Sequence, residues 1–401
     1  MSGPHKHTQG LWVALGLGVI LGCPSCTTLR SVLPEPLSEV LRPPQAPQLV
    51  RVALLRNAPS ARLKVTGPGL IYDAARRRPI RSFTTLSDAI FTADARGVLL
   101  AGVPLGTSRV AILPDMPRTL WINGVFYRGD ALIIAGNPGS LTVVNSLPLE
   151  DYLMGVVPKE TFPSWPEEAL RAQAVVSRSF AVYHIRHAGA AEYDLVAPSH
   201  QLYGGAAAED PRTTKAVLDT EGEVLWYDGD ILCTFFHTAC GGRTEEASNV
   251  FARVKTYPPA VFSPYEADSP YHAWRYSIAL VNCAEKLRRA GKWPGGPIRS
   301  VTVLQRFPSG RVAQLRFAGR DTSVVVTGEE VRRILGYDAV RSTWFNVGIR
   351  GERLEFAGRG WGHGVGLCQW SSKGMADRGF DYQRILAYFY PGSTLHLSLI
   401  H

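Results

Sequence analysis

One stretch of the sequence predicts a long helix more strongly than any other: SWPEEALRAQAVVSRSFAVYHIRHAG, residues 164–189. Ser164 and Glu167 have the spacing of a capping box, and Pro166 falls in the first turn, where its missing N–H costs no helical hydrogen bond. Apolar residues follow on two stripes of the helix rather than one, and most of them are small. We therefore expect a central helix that packs closely on both sides and ends near Gly189.

The sequence before this helix predicts a mostly-β module. Its clearest signal is a hairpin, in which Asn123-Gly124 separates two runs of strand-forming residues, 119–122 and 125–128. Other strands of the module are predicted at 50–55, 62–65, 97–100, 109–113, 132–135 and 141–144. After the long helix we predict strands at 223–226, 231–237, 300–304 and 312–317 and short helices at 329–335 and 382–389.

These patterns together predict an α+β fold class. The N-terminal mostly-β module would cover residues 49–144. A mixed α/β core around one long central helix would cover residues 145–401.

The composition is that of a folded protein with a basic charge balance. Hydrophobic residues make up 45% of the chain, and its 39 glycines and 28 prolines favour a loop-rich fold that contains strands. The formal net charge of +9 indicates a mild preference for an anionic partner. The basic residues are scattered, and no zinc-finger, RNP or helix-turn-helix pattern accompanies them, so nucleic acid is not an expected partner.

The N-terminus has the pattern of a bacterial export signal. Lys6 precedes an uncharged apolar run, residues 11–21, which is too short to span a membrane as a mature helix. The run ends in Ile20-Leu21-Gly22-Cys23, which resembles a lipoprotein box in which Cys23 receives lipid and becomes the mature N-terminus; Cys26 is the alternative anchor. We predict a lipoprotein signal peptide at 1–22 and a Pro-rich tether at 23–48.

Three motifs occur in a fixed order along the remaining chain. They are NSLPLEDYLMGVVPKE at 145–160, EEALRAQAVVSRSF at 167–180 and GWGHGVGLCQW at 360–370, the last followed by YFYPG at 388–392. Together they resemble the stage II sporulation protein D family (SpoIID/LytB) over about residues 50–400. The resemblance implies an exported lytic transglycosylase that cuts peptidoglycan glycan strands stripped of stem peptides. One related member suggests the alternative, a non-catalytic glycan-binding enhancer of a cell-wall amidase.

Glu160 matches the catalytic glutamate of that family. Apolar neighbours such as Val157 and Phe162 would desolvate its carboxyl group and raise its pKa, whereas Lys159 and a nearby helix N-terminus would favour the ionised form. The sequence leaves open which effect is larger. Family chemistry needs this one group, which protonates the leaving oxygen and then deprotonates the muramyl C6 hydroxyl. A second carboxylate, such as Glu150 or Asp151, is therefore not required.

The resemblance also implies contacts between the protein and the glycan. In extended chain, the alternating glycines of 358–366 would lie on one face and allow close approach of a ligand. Trp361 could then stack on a sugar ring and His363 could bind sugar hydroxyls, although a tight turn packed under the central helix explains the segment equally well. The other residues expected to bind substrate are Arg178, Gln201, Tyr203 and Gln369.

Cys233, His237 and Cys240 lie within eight residues of one another, and Cys233 and His237 would share one face of a strand. Such a set could form part of a zinc site. The candidates for completing it are Cys283, Cys368 and His272. We favour a packed strand with a disulfide, so that no cofactor is required, no metal ligand is assigned and structural zinc is the alternative. A metal- or thiol-dependent wall hydrolase built on His237 and Cys240 is the remaining rival function.

Overall fold

In the computed structural model, residues 48–137 and 139–398 are described. The predicted signal peptide, Cys23 and almost all of the predicted tether lie outside these residues. The helices are α1 (Leu149–Glu160), α2 (Glu167–His187), α3 (Pro211–Asp219), α4 (Ala247–Val250), α5 (Leu280–Arg289), α6 (Gly328–Leu335), α7 (Gln369–Ala376) and α8 (Tyr382–Phe389), with a 3₁₀ turn at Ala206–Ala208.

Strands precede, separate and follow these helices, which confirms the predicted α+β class. The strands before α1 are β1 (Leu49–Ala58), β2 (Ala61–Val65), β3 (Gly69–Asp73), β4 (Arg78–Phe83), β5 (Leu86–Asp94), β6 (Gly97–Leu100), β7 (Val103–Pro104), β8 (Arg109–Pro114), β9 (Thr119–Ile122), β10 (Val125–Arg128), β11 (Asp130–Ala135) and β12 (Leu141–Pro148). The later strands are β13 (Leu195–Val196), β14 (Glu223–Tyr227), β15 (Asp230–Ile231), β16 (Phe236–His237), β17 (Trp274–Ala279), β18 (Ser300–Arg306), β19 (Val312–Ala318), β20 (Ser323–Thr327), β21 (Phe345–Arg350), β22 (Arg353–Gly358), β23 (Leu367–Cys368) and β24 (Thr394–Leu397).

Two sheets that share one hydrophobic core form the N-terminal part. Their strand orders are β13-β1-β12-β11-β8-β3-β4 and β10-β9-β2-β5-β6-β7. Side chains such as Leu63, Phe91 and Ile112 alternate along their strands with more exposed residues and fill the space between the sheets. The predicted hairpin is confirmed, because Val125 pairs with Ile122 and both turn residues have the positive φ that a two-residue turn requires.

The larger sheet joins the β-rich part to the helices. Strand β12 continues to Pro148, past residue 144 where we predicted the module to end, and the chain then enters α1 without a loop. Strand β13, which follows α2, pairs in parallel with β1 at the edge of this sheet. The sheet therefore extends across the predicted domain boundary.

Helix α2 is buried around most of its circumference, as its two apolar stripes predict. Every residue from 172 to 182 is buried, and the helix contacts α1, α3, α7, α8 and β14. The predicted capping box is wrong, because Pro166 rather than Ser164 is the N-cap residue and no side chain caps it. Glu167 and Glu168 form ion pairs with Arg171 instead.

One core lies between the two N-terminal sheets and a second surrounds α1 and α2. A third core lies in the C-terminal half. The antiparallel sheets β17-β22-β21 and β18-β19-β20 pack with α5 and α6 around side chains that include Trp274, Phe317 and Phe345. Strands β16 and β23 form a separate two-stranded parallel pair. Within the described part of the chain, no helix is long and apolar enough to cross a membrane.

Candidate active site

Glu160 is the last residue of α1. We did not predict this helix from the sequence, since Pro158 lies within it and Gly155 is a poor helix former. Pro158 removes one helical hydrogen bond, and the helix ends two residues later. The signal that could have revealed α1 is the helical spacing of its buried side chains, which include Leu149, Leu153 and Val156.

The Glu160 carboxyl group is partly buried and accepts a hydrogen bond of 2.6 Å from the Leu202 N–H. Burial raises the pKa of Glu160 to about 7, although the Leu202 N–H favours the ionised form. The position at the C-terminal end of α1 acts in the same direction as burial, since the negative end of a helix dipole disfavours a carboxylate. At neutral pH this group can therefore both donate and accept a proton.

The other nearby acidic side chains do not pair with Glu160. Glu150 and Asp151 lie in the first turn of α1, and at 1.5 Å per residue the Glu150 backbone is about 15 Å away along the helix axis. Paired catalytic carboxyl groups of ordinary glycosidases are about 5–9.5 Å apart. Glu167 and Glu168 are held by Arg171. None of these four acids is therefore placed to act as a paired carboxyl group for Glu160.

Gln369, one of the predicted site residues, forms a buried hydrogen bond to the last residue of α1. Its amide donates to the Glu160 carbonyl oxygen at 3.0 Å and to Gln173 Oε1 at 3.3 Å. Gln173 donates in turn to the Ser177 hydroxyl at 3.1 Å. Gln369 is only 6% exposed. The hydrogen bonds join α1, α2 and α7 and thereby position the Glu160 backbone.

Gln201 and Tyr203 hold the loop whose Leu202 N–H reaches Glu160. The Tyr152 hydroxyl donates to Gln201 Oε1 at 3.1 Å, and the Gln201 amide donates to the Ser177 carbonyl at 3.3 Å. The Tyr203 hydroxyl donates to Asn145 Oδ1 at 3.1 Å. Gln201 is 1% exposed, so its placement supports a positioning role more directly than a contact with substrate.

Arg178, which we expected to bind substrate, lies inside the helical core with 0% exposure. It forms a two-pronged ion pair with Glu150, at 2.8 and 2.7 Å, and donates to the Val217 carbonyl at 3.0 Å. Further contacts reach Thr220 and the Glu223 carbonyl. With its donors used in this way, Arg178 ties α1 and α3 to α2, and this placement supports a structural role.

The glycine-rich segment after β22 is a folded loop, so the predicted extended chain is wrong. Its glycines at 360, 362, 364 and 366 all have φ in the left-handed region, which reverses the chain repeatedly. At Gly362, a side chain would place its Cβ 2.7 Å from the His237 Cβ. The loop therefore packs tightly on β16, whereas the alternative interpretation placed a tight turn under the central helix.

His363 is a partly buried residue of this loop. Its ring lies between Phe251 and His237, with centroids 5.3 and 5.5 Å away, and its Nδ1 accepts the Val365 N–H at 3.0 Å. Burial, together with Arg332 and Arg311, lowers the pKa of His363 to about 3. The ring is thus neutral at physiological pH.

An aromatic strip extends from the end of α1 to Trp361. Its members, in spatial order, are Phe162, Trp165, Trp370, Tyr271 and Trp361. Neighbouring ring centroids are 4.6–6.4 Å apart, and Phe162 at the Glu160 end is 55% exposed. Of these five rings, we predicted sugar stacking from the sequence only for Trp361, because the strip is formed by three distant segments of the chain.

Basic side chains accompany the aromatic strip. The Arg341 guanidinium lies 5.0 Å from the Trp361 ring, and the Lys373 ammonium lies 5.9 Å from the Trp370 ring. Flat rings next to cations suit a ligand that has apolar sugar faces and negative charges.

The chain is similar in sequence to known proteins. The sequence model of the stage II sporulation protein (SpoIID) family matches residues 137–227, which run from β12 to β14 and include Glu160, Gln201 and Tyr203. A second model, a domain of unknown function (DUF8618), matches residues 260–366.

Full-length relatives are similar over larger parts of the chain. An uncharacterized protein of Brachyspira hyodysenteriae is 29% identical over 356 residues, covering 86% of this chain and 92% of the relative. Stage II sporulation protein D of Bacillus subtilis is 27% identical over 268 residues, or 63% of this chain and 75% of the relative. The amidase enhancer of Bacillus subtilis is 26% identical over 290 residues, or 61% of this chain and 40% of the relative.

These matches show that residues 137–227 are similar to the stage II sporulation protein (SpoIID) family, as the three motifs predicted. Relatives named stage II sporulation protein D and amidase enhancer extend the similarity along the chain.

Proposed function

We propose that this chain is an exported peptidoglycan lytic transglycosylase in which Glu160 is the catalytic acid and base. The observation that carries the proposal is the Glu160 carboxyl group, with its pKa raised to about 7 by burial. It has the donor Leu202 N–H at 2.6 Å. A glycosidase that activates water needs a second carboxyl group at short range, and the acids that begin α1 are too far away to supply it.

The proposed reaction uses Glu160 twice. The protonated carboxyl donates its proton to the glycosidic oxygen as the bond from this oxygen to the muramyl C1 breaks. The resulting carboxylate then accepts the proton of the muramyl C6 hydroxyl, while O6 forms a bond to C1 and closes a 1,6-anhydro ring. Glu160 returns to its protonated form, and no water is consumed.

The aromatic strip supports a glycan as the substrate. Partly exposed rings such as Trp361 offer faces on which sugar rings stack, and the strip begins two residues after Glu160. Strands stripped of stem peptides carry free lactyl carboxylates, which Arg341 beside the strip would attract. Lys373 is already paired with Asp377 at 2.6 Å.

The experiment that tests the proposal is an analysis of product ends. Purified protein is incubated with denuded glycan strands in water labelled with heavy oxygen, and the products are weighed by mass spectrometry. We expect unlabelled 1,6-anhydro ends, lighter by one water than hydrolytic ends. Reducing ends that carry the label would refute the transglycosylase reaction.

Glu160→Gln is the decisive variant for this experiment. The amide keeps the size of the side chain and its contact with the Leu202 N–H, but it cannot donate and recover a proton, so we expect no new ends. Glu221→Gln, at an exposed turn, is the matched control and should cleave like the wild type. Cleavage by the Glu160 variant at the wild-type rate would remove this residue from the mechanism.

A second candidate function is enhancement of a cell-wall amidase by glycan binding without cleavage. The observation that favours it is the similarity to a relative named amidase enhancer, of which this chain covers 40%. In this case the protein would create no glycan ends, and both wild type and Glu160→Gln would increase peptide release by an added amidase. Dependence of that increase on Glu160 would argue against a binding role.

A further inference from the structure

Three potential metal ligands, His237, Cys240 and Cys368, converge in the interior of the C-terminal half. His237 pairs with Cys368 in the parallel ladder of β16 and β23, and the chain after β16 turns back to place Cys240 beside them. One ligand atom from each residue lies within 4.8 Å of the other two. Their exposures are 4%, 0% and 0%, so the cluster is closed to solvent.

The His237 ring is oriented as in a metal ligand. Its Nδ1–H donates to the Val365 carbonyl at 3.1 Å, which fixes the tautomer and leaves the lone pair on Nε2. Nε2 is buried and has no hydrogen-bond partner. An unsatisfied buried acceptor is costly, so the Nε2 lone pair is available for a metal ion.

Glu266 supplies a fourth ligand group. Its Oε2 lies 3.1 Å from the Cys368 sulfur and accepts the Cys240 N–H at 2.8 Å, while its Oε1 is buried without a partner. Ligand atoms of a tetrahedral zinc ion are about 3.3–3.8 Å apart, given bonds of about 2.3 Å to sulfur and about 2.0 Å to nitrogen or oxygen. Adjustments of about 1 Å would therefore bring His237, Cys240 and Cys368 onto one ion. The Glu266 carboxyl group, in contact with Cys368, is the candidate for the fourth position and would have to move further toward His237.

Both sulfur atoms already accept backbone N–H groups. The Gly242 N–H donates to the Cys240 sulfur at 3.3 Å, and the Cys240 N–H donates to the Cys368 sulfur at 3.2 Å. Gly241 and Gly242 have positive φ, which lets the chain fold over the sulfur. Such N–H donors stabilise thiolates and orient metal ligands.

A buried arginine balances the charge of the cluster. Zn²⁺ with two thiolates and the Glu266 carboxylate would carry one net negative charge. Arg311, which is 0% exposed, donates to the Cys240 carbonyl at 2.7 Å, and its Nε and Nη1 have no partner. The guanidinium would therefore neutralise the site.

We infer that His237, Cys240, Cys368 and Glu266 bind one structural zinc ion. Four protein ligands in a closed site are typical of structural rather than catalytic zinc. The favoured disulfide is wrong for the described cysteines, since Cys233, Cys240, Cys283 and Cys368 are all unpaired. Cys233 packs instead in the core around α1 and α2. The inference is independent of the proposed function.

The metal content of the full chain tests this site. Protein purified under reducing conditions without chelator should contain one zinc ion per chain by elemental analysis and native mass spectrometry. Replacement by Co²⁺ should produce visible bands of a tetrahedral ion and a thiolate-to-cobalt charge-transfer band. Stripping the metal with a chelator should lower the melting temperature, because the ligands come from separate segments.

Variants identify the ligands. Cys240→Ala and Cys368→Ala should each lose most of the bound zinc, whereas Cys283→Ala, which is equally buried in the third core, should retain it. Absence of zinc from the wild type, or a native mass that shows a Cys240–Cys368 disulfide, would overturn the inference. If the ligand variants do not fold, a wild-type cobalt spectrum without thiolate charge transfer would overturn it equally.

Discussion

The chemistry of Glu160 depends on where its carboxyl group is placed. An exposed glutamate is ionised at neutral pH, but partial burial at the C-terminal end of α1 raises the pKa of Glu160 to about 7. The hydrogen bond from the Leu202 N–H stabilises the ionised form of Glu160 and so limits the rise of its pKa. The raised pKa therefore suits a residue that alternates between the two forms.

The pH dependence of cleavage follows from this pKa. The first step requires protonated Glu160, and the protonated fraction falls as pH rises through about 7. We expect the cleavage rate under kcat/KM conditions to decline above neutral pH with an apparent pKa near 7, measured between about pH 5 and about pH 9. A rate that increases steadily across this range would contradict an acid role for Glu160.

Arg178 provides a second prediction at the scale of a single residue. Arg178→Met would leave Glu150 unpaired and remove the contacts to Val217 and Thr220. Loss of one partner of a buried ion pair costs roughly 3–5 kcal/mol, so urea denaturation should show a decrease of this size in the free energy of unfolding.

The same variant distinguishes a structural role of Arg178 from a direct contact with substrate, because the two roles affect stability and glycan affinity differently. Below its melting temperature, Arg178→Met should bind glycan strands with near wild-type affinity. An unchanged stability together with a large loss of glycan affinity would instead support the contact with substrate that the family resemblance implies.

At the scale of elements, the site depends on three helices that meet at one polar chain. Helix α7 begins with Gln369, α1 ends with Glu160, and α2 contributes Gln173. The residue before Gln369 is Cys368, so the inferred zinc site would also fix the start of α7. The position of the acid is therefore set by packing between elements.

Gln369→Ala tests this arrangement. The variant frees the Glu160 carbonyl and the end of α1, so we expect kcat to fall about 10-fold while KM changes little, because small misplacements of a catalytic group mainly affect the chemical step. The free energy of unfolding should fall by about 1–2 kcal/mol. Gln314→Ala, at an exposed position of β19, is the control. A change in KM alone would indicate that Gln369 binds substrate.

At the scale of the whole molecule, the β-rich part and the helical part share the seven-stranded sheet, because β13 adds to its edge next to β1. The chain enters this sheet at Leu49, next to the predicted tether. We propose that the tether and a lipid on Cys23 hold the protein at a membrane while the site reaches the cell wall.

Cys23→Ser tests this anchor. Serine cannot form the thioether that carries the lipid, so we expect the protein to move from the membrane fraction to the soluble exported fraction on cell fractionation. Cys26→Ser should leave the distribution unchanged. Membrane retention of the Cys23 variant together with release of the Cys26 variant would assign the anchor to Cys26.

Local patterns determined much of the fold. The Asn123-Gly124 turn, the two apolar stripes of α2 and the limits of α8 at residues 382–389 were all predicted, since each depends on neighbours in sequence. Glu160 was predicted from a contiguous motif. The ends of elements were less predictable, because pairing partners decide them: β12 runs on to Pro148 opposite Leu49 of β1.

Only the tertiary structure decided the chemistry of the buried groups. The pKa of Glu160 depends on burial and on Leu202, and the role of Arg178 depends on Glu150. Cys240 and Cys368, which the inferred zinc site brings together, are 128 positions apart in the chain. The sequence shows which titratable and metal-binding side chains the protein contains. Desolvation, hydrogen bonding and ligand convergence depend on distances between segments, and these distances arise when the helices and sheets pack together.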